Sequence, residues 1–440
     1  MSLESSKHRL TLQILIGMGS GVIFGLLIRQ LAGILDPSIS QYVESLLTGG
    51  ILELIGKAFL ALLKVLVVPL VFVSLVCGTA ALNDVRSLGR IGLRTVGLYL
   101  MTTAIAISIA LIAAIIIRPG HGFELQTEAS FTAAAAPGLA EVLIGIFPSN
   151  IIAAMAEGNM LQIIVFAILF GLALTVSGSH GQRVLQLFND LNSVIMSLVW
   201  LVMRIAPIGV FALIAKTFAT QGFDAFIPLL KYVAVVLAVL FFHALVTYPA
   251  LLKALSGLPI RPFLSKLREV QIFAFSTASS NATIPVSMRV AENQLGVRNS
   301  VASFSIPLGA TINMDGTAIM QGVATVFISQ AYGLGLEFTD YLMVIVTATL
   351  ASIGTAGVPG VGLIMLSMVL AQVGLPVEGI GLIIGIDRLL DMVRTAVNVT
   401  GDCAVTCIVA SKEKAIDQTR YLAQLKNLET NETAEGPSNS

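Results

Sequence analysis

Long apolar stretches, interrupted at wide intervals by short polar clusters, dominate the chain. No charged residue occurs from Leu12 to Ile28 or from Thr95 to Ile117, and Leu191 to Met203 runs on into another apolar stretch after Arg204. A helical bilayer crossing needs about 20 apolar residues, more than a core helix of a soluble domain offers without a polar face. The pattern predicts crossings at 12–34, 51–82, 91–117, 142–176, 191–217 and 226–255. Past Leu255 the regularity ends. "FAFSTASSNATIPVSM" and "LASIGTAGVPGVGLIM" are apolar at both flanks but broken at the centre by Ser, Asn and Pro or by Gly and Pro. Each is too polar at its middle for a plain span and too apolar for a surface loop. Read as re-entrant hairpins, they leave two further crossings, at 301–331 and 377–410. The predicted fold class is an all-α polytopic membrane protein with eight crossings and two re-entrant helical hairpins.

Composition agrees: 56% of residues are hydrophobic and 11% charged, with a formal net charge of zero, so overall charge points to no partner. The start of the chain is too continuous in its apolar run for a cleaved signal. Cys77, Cys403 and Cys407 lie in apolar helices and read as small packing residues. Charge sets the orientation. With the N-terminus inside, the inner segments collect Lys7, Arg9, Arg86, Arg90, Arg94, Arg183, Lys253, Arg261, Lys266, Arg268, Arg289, Arg298, Lys412, Lys414, Arg420 and Lys426. The outer segments are richer in Asp and Glu. That is the positive-inside asymmetry, and counting either hairpin as a full crossing would spoil it. Both termini are therefore expected in the cytoplasm, the protein in the cell (inner) membrane, and 413–440 as a disordered tail. Crossings one to three begin inside and four to six outside; the first hairpin with crossing seven begins inside, the second with crossing eight outside. Inverted repeats with interrupted helices are transporter architecture.

The chemistry concentrates in the last third. Asp387, Asp391, Arg394, Asn398 and Asp402 recur at steps of four, three, four and four residues, so they stack on one helical face. A charge at the bilayer centre costs at least about 2.5–3.5 kcal/mol. The stripe therefore demands cations, a ligand or partners; Arg388 is placed to neutralise Asp391 or Asp387. In "PLGATINMDGTAIMQG", Pro307, Gly309 and Gly316 weaken the helix around Asn313 and Asp315, offering carbonyls beside a carboxylate to a hard cation. The first hairpin adds Ser276, Thr277, Ser279, Ser280, Asn281 and Thr283, and a half-helix N-terminus that favours a carboxylate. The second lacks bulky side chains and can bend over a ligand. Asp391 suits an ammonium and Arg394 a carboxylate held bidentately, so an acidic amino acid with co-bound cations meets the demands together. Asp–Arg pairs alone also admit a reading as structural salt bridges; it is their coincidence with two broken helices that favours a site.

"SSNATIP", "LGATINMDGTA", "ASIGTAGVPG" and "LDMVRTAVNVTGD", with "FPSNIIAAMAEGNMLQIIVFAILFG" earlier, closely resemble the dicarboxylate/amino acid:cation symporter family of glutamate and aspartate transporters. The resemblance covers nearly the whole chain. It implies a glutamate-transporter-like homotrimer among membrane lipids. Scaffold helices would occupy 1–90 and 140–220, and 91–118, 226–255 and 256–412 a transport domain moving as an elevator. By motif, the resemblance puts the substrate amino group on Asp391 and its side-chain carboxylate on Arg394. Thr395, Asn398, Thr317, Ala278, Ser279, Ser280 and the tip Val358, Pro359, Gly360 and Gly362 complete the substrate site. It implies one sodium site at Asp402, Asn398, Gly309 and Asn313, and a second at Thr311, Met314, Ser352 and Thr355. A third would use Tyr99, Thr102, Thr103, Asn313 and Asp315. Asp387 and Arg388 would balance charge. Gln321 stands where proton-coupled animal members carry a titratable glutamate, which favours Na+ as the coupling ion, with no other cofactor. Arg394 stands where carriers of neutral amino acids lack arginine. A proton-coupled glutamate carrier and a C4-dicarboxylate carrier remain as alternatives, and an ion channel as one from another class. With no His-Glu-x-x-His motif and scattered histidines, an enzyme is not expected.

Overall fold

The computed structural model describes residues 3–81, 90–122, 147–222, 226–353, 357 and 360–423. Among them there is no strand, only an isolated antiparallel bridge between Val297 and Ile416. Everything else of length is helix. In chain order these are α1 (Leu3–Ile34), α2 (Glu53–Ala81), α3 (Arg90–Ile117), α4 (Met160–Val176), α5 (Gly178–Met203) and α6 (Ala206–Gln221). There follow α7 (Phe226–Phe242), α8 (Tyr248–Ser256), α9 (Arg268–Thr277), α10 (Ser280–Arg289), α11 (Asn299–Ile312) and α12 (Asp315–Ala331). The last are α13 (Phe338–Ser352), α14 (Val361–Gln372), α15 (Ile380–Lys412) and α16 (Gln418–Leu422).

Five helical stretches among the described residues are long and apolar enough to cross a membrane: Leu12–Ile34, Pro37–Ala80, Ile91–Ile117, Gly178–Met203 and Phe226–Ser256. The expected crossings that fall short do so for local reasons. The fifth, at 191–217, breaks at Arg204–Ile205, just before Pro207, into α5 and α6. Arg204 sits over the Trp200 ring at 5.1 Å. The fourth is a seven-residue helix at Ile151–Glu157, a left-handed Gly158, then α4; its expected start at 142–146 lies outside the described residues. The seventh breaks at Asn313 and Met314, neither of which has helical dihedrals. The eighth, α15, is continuous but carries the charged stripe.

Packing is densest within two groups of helices. α2 packs against α4, α5 and α6, and α6 also against α1. α3 packs on α12, and α15 is the axle of the second group, against α7, α8, α9, α11, α12 and α14. The two Ser- and Gly-rich segments form helical pairs, α9 on α10 and α13 on α14. Ala278 makes the first turn in left-handed backbone, φ 47°, and Ser279 caps α10 through its side chain. Gly360, φ 88°, opens α14.

One expectation is corrected. The chain does not become disordered at 413: α16 is capped by Asp417, and Tyr421 is buried with its hydroxyl donating to the Pro259 carbonyl. Lys266, from the short helix Ile260–Lys266, is buried and donates to the carbonyls of Gln294, Arg420 and Tyr421. Three carbonyls and the Tyr421 ring compensate the ammonium. Residues 424–440 lie outside the described residues.

Candidate functional site

The stripe on α15 is buried throughout: Asp387, Asp391, Arg394, Asn398 and Asp402 are each at most 8% exposed. Its upper part is an ion cluster. Arg394 donates from Nη1 to Asp387 Oδ1 at 2.5 Å and from Nη2 to Asp387 Oδ2 at 3.3 Å and Asp391 Oδ1 at 2.9 Å. Arg388 approaches Asp391 Oδ2 at 3.5 Å, the pairing its position on the helix suggested. Arg394 Nε has no hydrogen-bond partner among the described residues. Thr395 donates its hydroxyl to the Asp391 carbonyl. α12 and α14 close over the guanidinium through glycines. A methyl on Gly316 would lie 2.5 Å from the Arg394 carbonyl, so only glycine lets α12 approach so closely. Gly362 lies beside both Arg394 Nη2 and Thr317, and Thr317 is buried.

The hairpin tips meet at Gly357. Its carbonyl accepts from Ser279 Oγ at 2.7 Å and from the Asn281 amide at 3.3 Å. Ser279 Oγ also accepts from the Ala282 amide, and Thr283 donates to the Ser279 carbonyl. Ser276 and Thr277 bond their own helix, so these hydroxyls hold the hairpin's shape. Ala278, Ser279 and Ser280 are buried at the tip. Val358, Pro359 and Thr355 lie outside the described residues.

Below Arg394, the broken helix brings a second polar centre together. Asn313 Nδ2 donates to the Asn398 carbonyl at 3.1 Å and to Asp402 Oδ1 at 2.9 Å. Asn398 Oδ1 accepts from the Gly316 amide, and Asn398 Nδ2 approaches Met314 Sδ. Asp315 accepts from Thr103 Oγ1 at 2.5 Å and from Tyr248 OH at 2.8 Å, and lies 3.1 Å from His243 Nε2. Thr102 Oγ1 reaches Asn313 Oδ1 at 3.5 Å. Tyr99 points elsewhere than Asp315: its hydroxyl donates to the Ser305 carbonyl and lies against Gly309, beside Asp402. Of the second expected ion set, Thr311 and Ser352 bond their own helices. Neither Asp315 nor Asp402 has a lysine or arginine within salt-bridge distance among the described residues. Two buried carboxylates flanked by carbonyl, amide and hydroxyl oxygens suit a hard cation.

His243 and Tyr248 were missed by sequence reading. They flank a π-helical turn, His243–Thr247. Its wider winding brings positions five apart onto one face, with ring centroids 4.4 Å apart, and aims both at Asp315. The available signal was a histidine within an apolar span.

The chain is 35% identical over 432 residues to a proton/sodium-glutamate symport protein of Geobacillus stearothermophilus, covering 96% of this chain and 99% of the relative. It is 34% identical over 435 residues to a proton/glutamate-aspartate symporter of Escherichia coli, covering 96% and 97%. A C4-dicarboxylate transport protein of Laribacter hongkongensis is 32% identical over 390 residues, covering 86% and 88%. Residues 10–412 match the model of the sodium:dicarboxylate symporter family. The chain is thus an integral membrane cation symporter, not an enzyme, and belongs to the sodium:dicarboxylate symporter family.

Proposed function

We propose that this protein couples inward movement of sodium to uptake of acidic amino acids, L-aspartate and L-glutamate, across the inner membrane. The observation that carries the reading is the buried Arg394 beside Asp391. A guanidinium fork next to a carboxylate binds an anionic side chain and an ammonium at adjacent points. Asp315 and Asp402, buried without a basic side chain other than His243, are the coupling-ion sites, with Asn313, Thr103, Asn398 and the Gly309 carbonyl supplying neutral oxygens. Sodium is co-substrate here, held only while the carrier is loaded. Gln321, buried on α12, offers no titrating group.

Alternating access follows from the division of packing. With both termini cytoplasmic, α9–α10 dips into the membrane from the inside and α13–α14 from the outside. α14 packs on the scaffold helices α2 and α4, Gly360 lies against Met203 of α5, and α15 touches α1 and α6. Ile272 and Phe275 of α9 are exposed. An outer hairpin covered by scaffold and an inner hairpin uncovered correspond to the inward-facing end of an elevator stroke. In the homotrimer the α1, α2, α4, α5 and α6 groups form the fixed centre.

Proton coupling is the second reading. His243 on Asp315 favours it, as do the names of the Escherichia coli and Geobacillus relatives. Uptake of labelled L-aspartate into proteoliposomes tests the choice. Uptake driven by an inward sodium gradient at equal pH supports sodium coupling, and uptake driven by a proton gradient without sodium supports the second reading. Uptake of succinate but not aspartate would remove the role of Asp391 toward an ammonium.

A further inference from the structure

Tyr99, Ser305 and Thr406 form a hydroxyl cluster that the site as described does not use. Each is fully buried, and each comes from a different helix, α3, α11 and α15. Thr406 Oγ1 donates to Ser305 Oγ at 2.8 Å, Ser305 Oγ lies 3.1 Å from Tyr99 OH, and Tyr99 OH donates to the Ser305 carbonyl at 2.9 Å. A hydroxyl on an apolar helix can return its proton to the carbonyl one turn back, as Thr95, Ser108 and Thr400 do here. Thr406 instead reaches across to α11, and Tyr99 hands its proton from α3 to α11. Ser305 lies one turn before Gly309 and Thr406 one turn after Asp402, so the cluster borders the lower polar centre.

The protons decide what the phenol oxygen offers. With the Tyr99 proton on the Ser305 carbonyl and the Thr406 proton on Ser305 Oγ, the Ser305 proton is left for Tyr99 OH. The phenol oxygen keeps one lone pair and gives Asp402 no proton; Asp402 Oδ1 takes its bond from Asn313 Nδ2. Yet the two oxygens converge. A methyl on Gly309 would lie 2.6 Å from Tyr99 OH and 2.5 Å from Asp402 Oδ1, so they are at most about 5.1 Å apart, within the span of two ligands held by one hard cation at about 2.3–2.6 Å each. A buried carboxylate facing an oxygen that offers it no proton lacks compensation on that side, and a cation between them supplies it.

We propose that the Tyr99 hydroxyl oxygen is a ligand of the cation at Asp402, and that Ser305 and Thr406 are positioning residues that hold its proton away from the ion. Family resemblance put Tyr99 with the Asp315 ion; its hydroxyl serves the Asp402 ion instead. Ser305 and Thr406 act on the ion only through Tyr99. The assignment rests on the reading above that Asp402 takes sodium.

Tyr99→Phe keeps the ring and removes the oxygen. Purified wild type and variant are titrated by calorimetry with sodium, and separately with lithium, without amino acid. The expected sodium Kd is raised about ten-fold, the size of one lost contact to a charged group. Lithium is smaller and needs fewer oxygens, so its Kd changes by less than about three-fold. Thr406→Val, which keeps the volume and removes the donor to Ser305, raises the sodium Kd in the same selective way, and adds less than about two-fold in a Tyr99→Phe background. An unchanged sodium Kd in Tyr99→Phe overturns the inference, and so does an equal loss of both ions, which marks general damage to the fold. A Thr406→Val effect that persists undiminished in Tyr99→Phe overturns the positioning role. If Tyr99→Phe does not fold, Thr406→Val decides alone: a sodium-selective loss supports the inference and unchanged binding overturns it. Wild type that binds no sodium removes the reading beneath it. Wild-type binding that is lost in Asp402→Asn but unaffected in Tyr99→Phe removes this inference alone.

Discussion

Gly309 is the position at which the least chemical change should most disturb the coupling ion. It lies in α11 one turn before the break, and its carbonyl accepts the Asn313 amide at 2.7 Å. A methyl on its Cα would lie 2.5 Å from Asp402 Oδ1 and 2.6 Å from Tyr99 OH. Carbon–oxygen contacts settle near about 3.3–3.6 Å, so these oxygens must retreat by roughly 1 Å. Neither is free to do so without losing a bond: Asp402 is held by Asn313 Nδ2 at 2.9 Å and Tyr99 by the Ser305 carbonyl at 2.9 Å. Overpacking of this kind costs about 1–3 kcal/mol. If the strain falls on the ion ligands, that is roughly 5- to 150-fold in cation affinity, at about 1.4 kcal/mol per decade. Gly309→Ala should therefore raise the half-saturating sodium concentration for L-aspartate uptake at least about five-fold. At saturating sodium, aspartate KM should stay within about two-fold of wild type, because Arg394 and Asp391 are untouched. A folded Gly309→Ala with unchanged sodium dependence would refute the placement of the ion between Asp402 and the broken helix.

Other substitutions separate the remaining roles. Arg394→Ala should raise aspartate KM by about 10–100-fold, the range for a hydrogen bond to a charged group, and leave uptake of a neutral amino acid less affected. It should also lower the melting temperature, because Asp387 and Asp391 lose their shared partner. His243→Gln retains a donor toward Asp315; under sodium coupling, sodium-driven uptake should persist with an unchanged pH profile, and loss of a proton-driven component would favour the second reading. Lys266 gives a pH test outside the membrane: burial pushes its ammonium down to about 8, from 10.5. The docked segment thus binds fewer protons than the undocked one between those values, so docking of α16 strengthens as pH rises through that window and is weakest below it. Protease protection at Arg420, corrected for enzyme activity, should rise from pH 7 to 10, and Lys266→Met, which leaves three carbonyls without their donor, should weaken it at pH 7.

Much of the site was legible because unlike residues stood out against an apolar background. Asp387, Asp391, Arg394, Asn398 and Asp402 are polar at helical spacing within an apolar helix, and α15 buries all of them on one continuous element. The breaks at Asn313 and Ala278 were marked by Pro and Gly nearby or by a run of small polar residues. What escaped depended on geometry that spacing does not encode. His243 and Tyr248, five residues apart, share a face only because one turn widens into a π-helix. The contact of Ser279 with Gly357 joins segments nearly eighty residues apart in sequence. α16 looked like a polar tail because its anchoring lies in one tyrosine and in backbone carbonyls that accept from Lys266. Crossing five read as unbroken because Arg204 and Pro207 stand alone among apolar residues.

The central claim is that Asp315 and Asp402 take sodium while Arg394 and Asp391 take an acidic amino acid. The most direct measurement is uptake of labelled L-aspartate by proteoliposomes under an inward sodium gradient at equal pH, beside an inward proton gradient without sodium. Concentrative uptake with sodium alone, abolished in Asp402→Asn, is the result this account predicts. Uptake with protons alone, insensitive to sodium, would contradict it.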